Sequence, residues 1–247
     1  MRYSPLPRFV VIILTVFFSV ALLAPLPFSI VMPGNAQNIF DTIITVKNQK
    51  SYPATGRLDL MSIRVTNPNS WIIGPAILYS WINSDEAVYP RSAIYPSGTT
   101  TADEKKRAAA DMTSSQSKAI SAALTYLQEH PELGVLATKV NPSNITFDVR
   151  RTGGPSGGMI FALGVIELLT PSDLLHGRHI SGTGTVAADG RVGPIGGINE
   201  KVLAAHRAGA EIFLAPASNL REISHAPGGL RIVAVSTLAE AVEAIRK

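Results

Sequence analysis

Two short runs hold residue types that do chemistry as a pair. Ser156 sits in Arg151-Thr-Gly-Gly-Pro-Ser-Gly-Gly-Met-Ile-Phe, and Lys201 follows in Gly193-Pro-Ile-Gly-Gly-Ile-Asn-Glu-Lys-Val-Leu-Ala-Ala-His-Arg-Ala-Gly. A serine flanked by glycines and preceded by proline marks a loop turning into a helix, which leaves its hydroxyl and the nearby backbone N–H groups uncrowded for an attacked carbonyl. Serine is a poor nucleophile until a base takes its proton, and lysine is a base only when neutral. Burial lowers a lysine pKa by up to about 3 to 5 units, and the first turn of a helix further disfavours an ammonium. A shift of about 3 units costs on the order of 4 kcal/mol, which a fold carries for function. Taken singly, each run has a plainer reading: lysines usually snorkel to water from amphipathic helices, and a serine often caps one. The ordered pair is what points to a nucleophile and its base.

The surrounding pattern supplies elements to position them. Ile145, Phe147 and Val149 alternate as a strand leading into the serine loop, and Met159 to Leu169 continue as an apolar helix. A strand follows around Ile180 to Val186, then an Asp189-Gly190 turn, then a helix from Ile198 to Ala208 bearing Lys201 in its first turn. Ile212 to Leu214 and Ile232 to Val235 read as strands, and Glu240 is placed for a capping box on a terminal helix starting near Ser236 or Thr237. Upstream, Asp103 to His130 read as a helix with Ile120, Leu124 and Leu127 on one face. Ile43 to Val46, Leu58 to Val65 and Ile73 to Leu78 read as short strands, and residues 84–101 as a surface loop.

Composition narrows the function classes. With 46% apolar residues the chain of 247 folds around a core, and with no cysteine it has neither disulfides nor thiolate metal sites, while an oxidising compartment is permitted. The net charge of +4 is spread without a basic stripe, which gives nucleic-acid binding no support. No charged residue occurs from Phe9 to Phe40, and the apolar stretch to Met32 is about the 20 residues a membrane span needs. Arg2 and Arg8 precede it, favouring an N-terminus inside and the rest outside the cytoplasm. Pro25 makes the site after Ala24 a poor context for signal cleavage, so an uncleaved anchor is expected.

Gly154-Pro-Ser-Gly-Gly before an apolar helix, then Ser181-Gly, then Gly190-Arg-Val-Gly-Pro-Ile-Gly-Gly-Ile-Asn-Glu-Lys-Val-Leu-Ala-Ala-His-Arg-Ala-Gly-Ala, resembles the proteolytic domain of Lon proteases over about residues 110–247. The resemblance implies an α+β fold of ribosomal-protein-like, two-layer arrangement. It also implies Ser156 as nucleophile, Lys201 as general base and Ser181 as a hydroxyl that helps position the lysine, with Gly154, Pro155 and Gly157 supporting the nucleophile loop. The apolar N-terminus, Val31-Met-Pro-Gly and the helix around Ser114 to Tyr126 look like the membrane-anchored Lon-like proteins of bacteria. Those carry a PDZ module between that helix and the serine domain, for which residues 129–144 are too few. Gly153 stands where ATP-dependent Lon enzymes have an acidic residue, and Gly157 where alanine is usual, which adds backbone freedom beside the nucleophile. Homo-oligomeric rings are common among Lon-type domains, so a ring is implied by resemblance alone.

The expected layout is a cytoplasmic N-terminus at 1–8, a transmembrane anchor at 9–32, a β-rich segment with a loop at 33–101 and a Lon-type proteolytic domain at 102–247. The expected function is a membrane-anchored serine endopeptidase that cleaves unfolded or flexible polypeptides with no cofactor or metal. No Gly-x4-Gly-Lys-Ser/Thr loop occurs, so no nucleotide partner and no ATP dependence are expected. An inactive membrane-tethered scaffold or peptide-binding module on the same fold is the alternative. Gly154-x-Ser156-x-Gly158 also fits an esterase elbow, with Asp189 and then His206 or His225 in the required order, but the βα units that fold needs before the serine are missing. His206 is expected on the exposed side of its helix and His176 and His179 in a loop, a spacing that gives no metal site.

Overall fold

The computed structural model describes residues 6–149 and 153–246. Arg2, on which part of the orientation argument rests, and Arg151 and Thr152 at the head of the serine run lie outside the described residues. In chain order the elements are α1 (Arg8–Leu23), β1 (Phe28–Asn38), α2 (Ile39–Thr42), β2 (Ile44–Val46), β3 (Arg57–Val65), α3 (Gly74–Ile82), β4 (Ala87–Pro90), α4 (Arg91–Ile94) and α5 (Thr101–Glu129). Then come β5 (Ile145–Phe147), α6 (Gly158–Leu169), β6 (His179–Gly182), β7 (Thr185–Val186), β8 (Val192–Gly193), α7 (Ile198–Arg207), β9 (Ile212–Pro216), β10 (Arg231–Val235) and α8 (Leu238–Arg246). The chain forms two compact units, residues 1–32 with 65–101 and residues 33–64 with 102–247. Residues 33–64, grouped by sequence with the small β-rich segment, thus lie in the larger unit with the serine and lysine runs.

In the larger unit the strands lie in the order β10-β9-β6-β3-β1. Neighbouring pairs from β10 to β3 run parallel, with Leu60 opposite Gly182 and Gly182 opposite Leu214. Period-2 alternation sends Leu58, Leu60, Ile212 and Leu214 to one face, where they meet α5, α6 and α8. Met61, Phe213 and Ala215 go to the other face and meet Ile198, Val202 and Ala205 of α7. Helices therefore cover both faces, which corrects the two-layer expectation: parallel strands need crossovers, and α7 makes the one from β6 to β9 on the opposite side.

Helix α6 is apolar all round because it is enclosed all round, every residue but Leu168 being buried. In α5 the buried stripe is Met112, Ser115, Ala119, Ala122, Ala123, Tyr126 and Leu127. Small alanines form its centre, while the expected Ile120 and Leu124 pack only partly against the same core. The terminal helix is capped as its sequence predicts: Ser236 N donates to Glu240 Oε2 (2.7 Å) and Glu240 N to Thr237 Oγ1 (3.1 Å).

The smaller unit has a compact core of Ile30, Ile72 and Ile77. The strand expected at Ile73 to Leu78 is instead the helix α3. Pro75 in its first turn presets a helical φ and lacks the N–H that would go unpaired, and Ile73 and Ile77 fall one turn apart on the helix rather than alternating. The loop expected at 84–101 contains β4, which pairs antiparallel with Phe28–Val31 of β1, and α4. The apolar N-terminal stretch also differs from its reading. Helix α1 has 16 residues and stops at Leu23, because Pro25 forces Ala24 into an extended conformation (ψ 140°), and by Phe28 the chain is strand. Sixteen residues make about 24 Å of helix, against roughly 30 Å of bilayer hydrocarbon. Among the described residues no helix is long and apolar enough to cross a membrane.

Candidate active site

Ser156 lies in a short 3-10 turn, Pro155–Gly157, that runs directly into α6. Gly154 before it has φ +90°, a conformation open to glycine and strained for other residues, which explains why the loop enters through Gly154-Pro155. Helix α5 holds the loop in place: Gly154 N donates to Ala108 O (2.9 Å) and Ser115 Oγ to Pro155 O (3.0 Å). On the other side Gly184 N donates to Ser156 O (2.8 Å) and Met159 N to Gly184 O (3.0 Å). Ser156 is half-exposed and lines a cleft of about 380 Å³ with Pro155, Thr185, Pro194, Ile195 and Gly196. A second cavity of about 580 Å³ shares Pro155 and Thr185 and reaches Asp111, Lys118 and Arg191.

Lys201 projects from the first turn of α7, whose N-cap Gly197 adopts a left-handed conformation (φ +68°). A Cβ there would lie 2.9 Å from Ile63, so glycine lets the helix start close against β3. The side chain of Lys201 is 2% exposed. Burial in the apolar wedge under α7 depresses its pKa to about 7, with the neighbouring Glu200 carboxyl opposing the shift. Burial likewise raises the pKa of Glu200. The amine donates to Thr183 Oγ1 (3.0 Å), and that hydroxyl donates in turn to the backbone carbonyl of Ser156 (3.0 Å). One fully buried hydroxyl thus bridges the lysine amine to the serine's own main chain.

Ser181, expected to position the lysine, is fully buried, and its Oγ has no hydrogen-bond partner among the described residues. The hydroxyl that meets the amine is two residues on. Thr183 escaped the sequence reading because Gly182-Thr183-Gly184 looked like the middle of one long strand. In fact β6 ends at Gly182 and β7 starts at Thr185, so Thr183 is a joint between them. Asn219 was missed as well: its side chain accepts from Ile195 N (2.9 Å) and donates to Ile195 O (3.0 Å), clamping the loop that walls the serine cleft. A polar residue after a fully apolar strand was its only signal.

The histidines sit away from this chemistry. His206 is exposed on α7 as expected, and Asp189 forks onto Arg191 (2.7 Å). His179, expected in a loop, instead opens β6, with Nε2 2.8 Å from Oδ2 of the buried Asp59. Arg57 Nε donates to the other oxygen of Asp59 (2.8 Å), so this buried carboxylate is paired, and the pairing raises the Arg57 pKa.

A profile of the Lon protease (S16) C-terminal proteolytic domain matches residues 108–246, more than half of the chain. The chain belongs to the Lon protease (S16) family. Lon protease 2 of Herpetosiphon aurantiacus is 36% identical over 128 residues, covering 48% of this chain and 16% of that protein. Lon protease 4 of Sorangium cellulosum is 37% identical over 115 residues (44% and 14%), and Lon protease 1 of Bacillus subtilis 38% over 94 (36% and 12%). The match thus covers about a sixth or less of the length of these curated relatives.

At the two glycines that the resemblance to Lon enzymes sets apart, close neighbours occupy the space a side chain would take. A Cβ at Gly153 would lie 2.6 Å from Ala108 Cβ and 3.2 Å from its carbonyl, so α5 fills the space an acidic residue would take. A Cβ at Gly157 would lie 2.7 Å from Leu60 Cδ1 and 3.0 Å from Phe161 Cε2.

Proposed function

We propose that this chain is a serine endopeptidase that cleaves unfolded or flexible polypeptides through an acyl-enzyme on Ser156, with Lys201 as general base. The observation that carries this reading is the enclosed amine of Lys201, depressed to about 7 and tied through Thr183 to the serine's backbone. At neutral pH roughly half of such amines are uncharged and able to accept a proton. Lys201 Nζ takes the Ser156 hydroxyl proton as Oγ attacks the substrate carbonyl carbon. The scissile C–N bond then breaks, and the proton passes from Lys201 to the departing amine. In the second half Lys201 deprotonates a water that attacks the ester carbonyl, then returns that proton to Ser156 Oγ as the ester C–O bond breaks, freeing the acid, the serine hydroxyl and the neutral amine. Thr183 acts as the positioning residue: its hydroxyl accepts from the amine and donates to Ser156 O, which fixes the amine's direction. The steps use a hydroxyl, an amine and water, and draw on no nucleotide.

The half-open clefts flanking Ser156 suit an extended chain rather than a folded surface. Helix α1 attaches the chain to a membrane in this reading, its neutral residues embedded and its shortfall in length taken up by local thinning of the bilayer. Arg8 at its start favours the N-terminus inside, which places the remainder outside the cytoplasm.

Hydrolysis of an unfolded protein and fluorophosphonate labelling, each compared between the chain and Ser156→Ala, test the proposal. Both signals are expected to vanish in the variant. Equal signals would instead favour an inert scaffold on the same fold.

A further inference from the structure

The smaller unit turns outward what a water-facing surface hides. In α3, Ile77 and Ser80 are buried, with Ser80 Oγ donating to Glu86 Oε2 (2.7 Å), while Leu78, Tyr79, Trp81 and Ile82 are 54, 66, 65 and 85% exposed. The small polar residue faces in and the large apolar ones face out, the reverse of a helix lying on water. Trp71, just before the helix, is 71% exposed. The chain has only two tryptophans, and both stand on this segment.

Local bonds fix where the patch sits. Trp71 Nε1 donates to the carbonyl of Leu23, the last residue of α1 (3.1 Å). Arg91 donates to Ser70 O (2.8 Å) and Leu26 O (3.4 Å), tying the same segment to the chain leaving that helix. The patch therefore lies at the C-terminal end of α1, whose own apolar side chains are exposed along its length. No charged residue occurs between Phe9 and Phe40 or between Arg64 and Asp85. Neither α1 after Arg8 nor the Trp71–Ile82 segment carries a charged side chain of its own, as suits a boundary where a charge is costly, and the Arg91 guanidinium at their junction is tied to backbone carbonyls. Indole and phenol rings favour the level where lipid headgroups meet acyl chains, since one end of each ring is apolar and the other can bond to water.

We propose that Trp71, Leu78, Tyr79, Trp81 and Ile82 form a second membrane contact: an aromatic shelf at the end of α1 that lies in the headgroup–acyl boundary of a phospholipid bilayer. This rests on the reading of α1 as the membrane attachment. The shelf gives the short helix a lateral brace at its exit, anchoring the smaller unit by two elements instead of one.

The full chain in phosphatidylcholine vesicles tests this directly, because all its tryptophan emission comes from the shelf. The account expects co-flotation, a blue-shifted emission protected from aqueous acrylamide, and stronger quenching by lipids brominated near the glycerol end of the acyl chain than by lipids brominated near its methyl end. Trp71→Phe and Trp81→Phe assign the depth to each ring, and both are expected to report the shallow position. A chain that fails to float with vesicles overturns the α1 attachment and the shelf together. A chain that floats while its tryptophans stay open to acrylamide and untouched by bromine overturns the shelf alone. Protection from both quenchers also overturns it, because protein, such as a second copy, then covers the patch.

Discussion

The two units of this chain break the ordinary rule of burial in opposite ways. The larger unit encloses a lysine amine at 2% exposure, while the smaller unit exposes both tryptophans and most of the apolar residues of two helices. Neither is explained by folding in water, where a buried unpaired cation costs stability and exposed aromatics contribute none. The proposed function gives the larger unit's departure a reason, a base that must be uncharged, and the proposed lipid contact gives one to the smaller unit's. Buried charge alone does not mark function: Asp59 in the same unit is equally enclosed but carries Arg57 and His179 as hydrogen-bonded partners, whereas the Lys201 amine donates to a neutral hydroxyl.

The sharpest way to break this comparison is to remove the enclosed charge. Lys201→Met is expected to lower peptide turnover by about a thousandfold or more. The same change is expected to stabilise the fold by roughly 1 to 3 kcal/mol, since an apolar side chain of similar length replaces a disfavoured ammonium. Activity assays paired with denaturant unfolding read both. The stability sign follows from linkage: the folded pKa of about 7 lies below the ordinary 10.5, so the folded state binds fewer protons between those values and is destabilised as pH falls through that window. The gain from Lys201→Met should therefore be largest below pH 7 and fade towards alkaline pH. A variant equally active, or less stable, would show that the amine is a structural anchor.

A smaller effect separates the two buried hydroxyls. Thr183→Val removes the bridge and is expected to lower kcat by about 100-fold with little change in KM, because a misdirected base slows chemistry more than binding. Thr183→Ser should restore most of it. Ser181→Ala, which deletes a hydroxyl with no partner among the described residues, should change kcat by less than about threefold. If Ser181→Ala proves the more damaging, the lysine uses Ser181 in the working enzyme.

The smallest effect is expected at Gly157, the residue after Ser156. Gly157→Ala places a methyl group 2.7 Å from Leu60 Cδ1 and should cost about 1 to 2 kcal/mol of stability, measured by thermal unfolding, with only a modest loss of rate. A stabilised Gly157→Ala variant would mean that this pocket has slack.

Much of the larger unit was legible in sequence because its elements are punctuated by residues with strong local physics. Gly154-Pro155 before Ser156, Asp189-Gly190 at a hairpin and Thr237 with Glu240 at a cap each fix backbone geometry within a few residues. Apolar runs such as 159–169 are long enough to be one kind of element only. The smaller unit was less legible. Ile73, Ile77 and Leu78 read as a strand by composition, but Pro75 and one-turn spacing made a helix. Hydropathy carried the apolar N-terminus to Met32, while Pro25 ended its helix at Leu23. Thr183 shows a further limit: its role depends on a kink between two strands and on a helix arriving later in the chain, and neither leaves a mark on its immediate neighbours.

The central claim is that an enclosed, uncharged Lys201 activates Ser156, and the pH dependence of fluorophosphonate attachment to Ser156 tests it most directly. Attachment should rise with pH along a single-proton curve centred near 7, following the loss of the ammonium proton, and Lys201→Met should react slowly with no such rise. A profile flat from pH 5 to 9 with chemistry limiting, or the same rise in Lys201→Met, would contradict the account.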